Sequence, residues 1–408
     1  MNRNVLKNVL CCVALSQFAL GCAHTGTPDI ASACAYSSGT YRDGYCVCGV
    51  DTCGEGIVCN TLTQQCADQS SAESSVVSVA SGDELNLWNA DAEARKSLIS
   101  YIQTITASGK DYIPPADRIA VFDLDGTLLC ETDPNYMDYN IYVYRVLEDP
   151  DYKDKATAEQ IEVANTIVKV NQTGVVPKGL DVAHQIAYMQ VFAGMTLPEY
   201  NRYVQTFIEQ PAPGYTGMKR GEAYYKPMLQ VIKYLQDNQF KVFIVSGTDR
   251  LQVRAAIAGV IDIPESQVIG SDGTIVATGQ TKTDNLNSDN LEYVYKNDDS
   301  LVRGSGFIVK NLKMNKVAVI AREIGKQPVL SFGNSSGDSS MAEYVVTNNP
   351  YPSRAYMLLA DDFVRENGSQ AKTDKIQQLC DQNGWIPISM KNDWKTIYGD
   401  GVVKINKE

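Results

Sequence analysis

Residues 120–131 read AVFDLDGTLLCE. An apolar run with the signature of a buried strand ends in two aspartates, Asp123 and Asp125, set two positions apart. Carboxylates at such a place are costly unless something compensates them, so the stretch asks what else the chain brings to the end of that strand. Working outward, Pro114-Pro115 precede the strand, and further unalternating apolar strands recur at FKVFIVS (240–246), PVLSF (328–332) and AYMLLA (355–360). Helical periodicity lies between them, over about 90–108, in KPMLQVIKYLQDNQ (226–239), in DRLQVRAAIAG (249–259) and in NKVAVIAREIG (315–325). Strand and helix in turn, with strands apolar on both faces, predict an α/β fold with a doubly wound parallel sheet.

Two segments break the rhythm. Residues 129–225 form an insertion that is mainly helical in pattern (TAEQIEVANTIVKV, LPEYNRYVQTFIE), expected as a cap directly after the first strand. Residues 266–312 read as β-rich, with SDGTIVATG, LEYVY and GFIVKNL between Asp, Asn and Gly turns. Long insertions at strand ends in such sheets commonly cover an active site. The C-terminal WKTIYGDGVVKINKE is expected as a closing strand.

The N-terminal part has a different composition. Residues 1–21 carry Arg3 and Lys7, an apolar stretch to Leu20 and then Gly21-Cys22, the pattern of a secretory signal of lipoprotein type, with Cys22 as the lipid attachment site. Six cysteines (Cys34, Cys46, Cys48, Cys53, Cys59 and Cys66) crowd into residues 34–66, an even number in an exported chain, so residues 22–66 read as a small disulfide module of undecided connectivity. No CxxC pair or interleaved histidine supports a zinc site there. Cys130 and Cys380 lie outside the cluster and are left to pair or to stay as buried thiols. Residues 67–88 are Ser-rich and read as a linker, and residues 89–408 as the main domain, which holds the doubly wound sheet and its insertion. The formal charge of −12 argues against nucleic-acid partners, and with two histidines, His24 and His184, histidine-based triads are nearly excluded.

In a doubly wound sheet, ligands bind at the carboxyl ends of the strands. There the sequence places Asp-Leu-Asp-Gly-Thr (123–127), Ser-Gly-Thr (246–248), a lysine at the head of a helix, and Gly-Asn-Ser-Ser-Gly-Asp (333–338). These four motifs, in this order, resemble those of the haloacid dehalogenase-type (HAD) phosphohydrolases, most closely the phosphoserine phosphatase-like branch with a helical cap. The resemblance spans about residues 116–360. It implies Asp123 as the nucleophile that forms an aspartyl-phosphate and Asp125 as the general acid and base. It also implies Mg²⁺ held by Asp123, the main-chain carbonyl of Asp125, Asn334 and Asp338. Ser246, the amide of Gly247 and a lysine would bind the phosphoryl group, and of Lys313 and Lys316 we choose Lys316. Family members commonly have Asp where this chain has Asn334, which leaves the amide oxygen as the ligand or hands the place to Asp338. Glu131 stands near where phosphoserine phosphatases hold the substrate amine, and His184 is expected as a cap-helix residue.

The sequence therefore reads as an exported, lipid-anchored, Mg²⁺-dependent phosphatase of the bacterial cell envelope acting on small phosphorylated metabolites. Two alternatives stand beside it. One is a surface-binding lipoprotein with a degenerate HAD-like scaffold, and the other is a phosphotransferase of the same fold.

Overall fold

The computed structural model describes residues 85–131, 136–282, 284 and 290–405, together with the backbone of five short strands between residues 40 and 68. The chain divides into two units, residues 1–60 with 64–72, and residues 61–63 with 73–408. In the smaller unit β1 (Thr40–Arg42), β2 (Tyr45–Cys48) and β3 (Asp51–Cys53) form an antiparallel sheet, and β4 (Ile57–Asn60) pairs with β5 (Gln65–Asp68). The signal segment, Cys22 and the side chains of the six clustered cysteines lie outside the described residues.

The larger unit is built on a seven-stranded sheet. In spatial order it runs β10 (Leu301–Val309), β9 (Val268–Ala277), β8 (Lys241–Asp249), β6 (Ile119–Phe122), β11 (Leu330–Gly333), β12 (Arg354–Leu359) and β13 (Ile386–Ser389). All neighbours are parallel except β9 and β10. The central strands β6 and β11 are buried along their whole length because both faces are covered. Ala120 and Phe122 of β6 pack on the side of α1 (Glu93–Thr106), α6 (Lys226–Asp237) and α7 (Arg250–Ile257), whereas Val121 packs with α8 (Met314–Val319) and α9 (Ser339–Val346). Register aligns Phe122, Phe332 and Tyr356 across three strands, and their rings stack with centroids 4.3 and 5.0 Å apart. From β6 the chain proceeds to β8 on one side and returns later to β11 on the other. The carboxyl ends of β6 and β11 therefore flank the crevice where ligands bind in such sheets.

Between β6 and α6 lie four helices, α2 (Met137–Leu147), α3 (Ala158–Thr173), α4 (Leu180–Val191) and α5 (Leu197–Ile208), with the two-residue β7 (Tyr215–Thr216) at their exit. Capping boxes start two of them. Thr157 and Gln160 close the N-terminus of α3, and Thr196 and Glu199 that of α5, each satisfying amides that a helix start leaves without partners.

The structure departs from the sequence reading at three places. The Ser-rich stretch does not extend to residue 88 as a linker: Leu85 and Trp88 are buried, the Trp88 indole donates to the Pro227 carbonyl (3.0 Å), and its ring meets Trp394 edge-on at 5.8 Å. LEYVY (291–295) forms turn and coil, because Asp299 accepts from the Tyr293 hydroxyl, the Lys296 amide and the Gly279 amide and ties the segment into a loop. The C-terminal segment does not close the sheet. The edge strand is β13, followed by the short helix at Met390–Asp393, while β14 (Val403–Lys404) pairs antiparallel with β7. Cys130 and Cys380, the latter on α10 (Gln370–Asn383), are both buried, and the Cys130 thiol donates to Glu366 Oε1 (3.5 Å).

Candidate active site

Asp123 follows the last residue of β6, and its amide donates to the Phe332 carbonyl of β11 (2.9 Å). This bond fixes the motif backbone to the neighbouring strand. The chain then turns at Gly126, whose φ of +78° lies in the left-handed region and whose amide donates to the Leu129 carbonyl (2.6 Å). A second constraint also requires glycine here. A Cβ at this position would come within 1.8 Å of Asn334 Nδ2 and 2.8 Å of Glu131 Oε2, so the turn carries both side chains directly against its backbone.

Three further elements converge on the pair of aspartates. At the head of α8, Lys316 is 1% exposed and its Nζ donates to Asp123 Oδ1 and Asp338 Oδ1, each at 2.7 Å. Lys313 is exposed and donates its amide to the Gly337 carbonyl. The structure thus brings Lys316, not Lys313, to the aspartates. At the end of β11 the loop 333–338 closes on Asp338. Its Oδ2 accepts from the amides of Asn334 (3.2 Å) and Ser335 (3.1 Å) and from the Ser335 hydroxyl. At the end of β8, Ser246 is fully buried and its Oγ accepts from the Thr248 amide (3.1 Å). The Thr248 hydroxyl donates to Asp125 Oδ2 (2.7 Å). Gly247 sits under Leu312, where a Cβ would approach to 2.7 Å, and its carbonyl accepts from the Ser271 hydroxyl.

Burial, with neighbouring charges behind it, raises both aspartates. Burial pushes the Asp125 carboxyl up to about 8, helped by the Asp138 and Asp123 carboxylates, against the Thr248 hydrogen bond. Burial and the Asp338 carboxylate likewise raise Asp123, against the pull of Lys316. Lys316 is held charged by Asp123 and Asp338 despite its burial. Asp125 Oδ2 accepts from the Thr248 hydroxyl, and Oδ1 is buried without a hydrogen-bond partner among the described residues.

The cap contributes Asp138 of α2, 3% exposed, with the Lys310 ammonium 3.7 Å away; Lys310 also donates to Gln185 (3.1 Å). His184 of α4 is buried inside the cap. Its ring meets Tyr139, Tyr142 and Tyr188 at 4.5, 5.1 and 5.5 Å, its Nδ1 lies 3.9 Å from the Asp138 carboxylate, and burial drives its pKa well below the usual value. It is a packing residue.

Glu131, 7% exposed, accepts from the Tyr136 hydroxyl at Oε1 (2.8 Å) and from Asn334 Nδ2 at Oε2 (2.8 Å), and it pairs with Lys372 of α10. No three His, Cys, Asp or Glu side chains among the described residues gather as a metal cluster. The oxygens that the sequence assigns to a cation are the Asp123 carboxylate, the backbone carbonyl of Asp125, the Asn334 amide and Asp338; the structure joins Asp123 and Asp338 through Lys316 and seats the Asn334 side chain against Gly126. That set, with one orphaned carboxylate oxygen at Asp125 and acids that raise one another, fits Mg²⁺, which takes one or two carboxylates and keeps several waters. Both Asp338 oxygens already accept protein hydrogen bonds, so Asn334 and Asp123 offer the less encumbered donors.

The model of the haloacid dehalogenase-like hydrolases matches residues 120–343, more than half of the chain. The chain belongs to this family. Among solved structures the HAD protein resembles a functionally unknown protein from Anaerococcus prevotii DSM 20548 (12% identity, 72% of this chain and 91% of that one, TM-score 0.43). It also resembles cytosolic 5'-nucleotidase IIIB bound to cytidine (12%, 76% and 89%, TM-score 0.44). A third is a phosphoserine phosphohydrolase-like protein from Francisella tularensis subsp. tularensis SCHU S4 (11%, 64% and 92%, TM-score 0.35). No curated protein matches the sequence.

Sequence reasoning missed Thr248, Asp138, Lys310 and Lys372. Thr248 stands inside a quoted motif, but its hydroxyl carried no role there. Lys372 lies 241 residues from Glu131 and outside the matched segment, so no local pattern points to it.

Proposed function

We propose that this HAD hydrolase is a Mg²⁺-dependent phosphatase that cleaves small phosphate monoesters through an aspartyl-phosphate on Asp123. The observation that carries the reading is the convergence of Lys316, Asp123 and Asp338 beside the buried Asp125 carboxyl. Lys316 holds Asp123 Oδ1, which leaves Oδ2 as the attacking atom. As the Oδ2–phosphorus bond forms and the ester P–O bond breaks, the leaving oxygen takes the proton from Asp125 Oδ1. Asp125, now a carboxylate, then removes a proton from a water that attacks the same phosphorus. The Asp123–phosphate bond breaks, and inorganic phosphate leaves with the starting protonation state restored. Ser246, the Gly247 amide and Lys316 would bind the phosphoryl oxygens. Bound Mg²⁺ would neutralise charge between those oxygens and the carboxylates.

A helical cap rooted beside the nucleophile favours small phosphorylated metabolites, since it must close over the leaving group to exclude water. The branch of amine-bearing substrates typified by phosphoserine belongs among the esters to test. We further read the chain as an exported lipoprotein anchored through Cys22, with a disulfide-bonded N-terminal module.

The deciding experiment is hydrolysis of p-nitrophenyl phosphate by the full chain, with Mg²⁺ or with EDTA, beside Asp123→Asn. Turnover that needs both the metal and Asp123 supports the proposal. Equal rates from the wild type and Asp123→Asn would refute it.

A further inference from the structure

The weak point of the metal site is Asn334, a neutral amide at a place where a carboxylate would bring charge. The structure sets a carboxylate one hydrogen bond behind it. Asn334 Nδ2 donates to Glu131 Oε2 at 2.8 Å, and Glu131 is held from outside by Lys372 and from the cap side by the Tyr136 hydroxyl. Asn334 is 4% exposed and Glu131 7%, and the Lys372 side chain, at 32%, reaches the pair from the solvent side. Gly126 lacks a side chain where this pair lies on the turn, so the Asn334 amide rests against the backbone that follows Asp125.

This arrangement decides the amide's orientation. With Nδ2 facing a carboxylate, the amide oxygen is the atom available to a cation. Donation to a negatively charged acceptor also strengthens that oxygen, as partners behind metal ligands commonly do. Glu131 already accepts from three donors, so a substrate ammonium would have to displace one of them. Lys372 in turn balances a buried carboxylate that stands near Asp125 and would otherwise be unpaired.

We propose that Glu131 and Lys372 are positioning residues for the metal site: Glu131 orients the Asn334 amide oxygen toward the cation and supplies at one remove the negative charge that Asn334 lacks, and Lys372 fixes Glu131 in place. The inference rests on the Mg²⁺-dependent reading above. It assigns Glu131 to the metal side of the site instead of to a substrate amine.

The test is calorimetric titration of the full chain with Mg²⁺ alone, with circular dichroism to verify folding of each variant. Glu131→Gln should weaken Mg²⁺ binding by about 10- to 100-fold, the usual range when a partner behind a metal ligand is lost. Lys372→Met, at a half-exposed position that tolerates the change, should weaken it in the same direction. Asn334→Asp alone should not tighten binding, because it sets a second carboxylate against Glu131. Glu131→Gln combined with Asn334→Asp should recover most of the loss, since the new amide can donate to the new carboxylate. The KM for p-nitrophenyl phosphate at saturating Mg²⁺ should stay near the wild-type value in Glu131→Gln. If the wild type binds Mg²⁺ and neither Glu131→Gln nor Lys372→Met changes its dissociation constant by more than about twofold, the inference is overturned alone, since the expected effect is tenfold or more. A wild type that binds no Mg²⁺ overturns the metal-dependent reading and this inference with it.

Discussion

Removing the Lys316 ammonium is the most demanding perturbation of this site. The side chain is buried and makes two charge-assisted hydrogen bonds of 2.7 Å, to Asp123 and to Asp338. Each such bond is worth about 1.5–3 kcal/mol, and taking one partner out of a buried ionic group costs about 3–5 kcal/mol because it strands the charge that remains. Lys316→Met keeps most of the volume, so cavity terms stay small and the loss in a metal-free buffer at pH 7.5 should fall near 3–5 kcal/mol. It should also depend on pH with a definite sign. Burial already raises Asp123 in the folded chain, and without the ammonium it rises further. A carboxyl whose folded pKa lies above its unfolded one destabilises most at high pH and recovers as pH falls through the folded value, where the native state takes up the proton. Urea unfolding of wild type and Lys316→Met in EDTA, at pH 5 and at pH 7.5, measures both quantities. A difference below about 1 kcal/mol at pH 7.5 would mean that the triad stores no buried charge, since even a single such bond should exceed it. A loss independent of pH would refute the assignment of its cause to Asp123.

Three further outcomes follow from other residues. Because Asp125 is raised to about 8 by burial, the metal-free wild type should lose stability as pH climbs from about 4 to about 8, the window in which the unfolded chain has released a proton that the folded chain keeps; Mg²⁺ should offset the loss, and thermal unfolding in EDTA against Mg²⁺ at pH 5 and pH 8 reads this directly. Asp125→Asn should be more stable than wild type at pH 8 without metal, while its turnover of alkyl phosphates, whose leaving oxygen needs a proton, should drop by roughly 10²- to 10⁴-fold in a steady-state assay. Gly126→Ala should cost at least about 1–2 kcal/mol for the left-handed backbone alone, and because its Cβ would collide with Asn334 Nδ2 at 1.8 Å, it should also weaken Mg²⁺ binding measured by calorimetry.

The central strands were legible because burial on both faces leaves an unalternating apolar signature, and β6, β8, β11 and β12 carry it. The acidic and polar residues at their ends were legible for the complementary reason that nothing in a packed strand end calls for Asp123, Asp125, Ser246 or Asp338. Lys316 was found because it stands at a helix start within the same run of motifs. Segments stabilised by side chains far away in sequence were not legible: Trp88 is held by Trp394 and the Pro227 carbonyl, and the 291–295 loop by Asp299. The same limit hides Lys372. Its partner Glu131 reads in sequence only as a candidate for a substrate amine, and the meaning of the pair arises only where Gly126 lets Asn334 and Glu131 rest on one turn.

That glycine also ties the two halves of the reading together. The Asp-Leu-Asp-Gly-Thr run needs Gly126 for a left-handed turn that redirects the chain after Asp125, and this requirement is local. Its close approach to Asn334 is a demand made by a loop more than two hundred residues later, so the motif glycine serves both the turn and the seating of the metal-side amide. A substitution that relieved only the collision, such as Asn334→Ala beside Gly126→Ala, should therefore regain part of the stability and none of the Mg²⁺ affinity. Unfolding and calorimetry on the same pair of variants separate the two roles. If the double variant binds Mg²⁺ as the wild type does, Asn334 is no part of the metal site and the chain of contacts from Lys372 ends in packing alone.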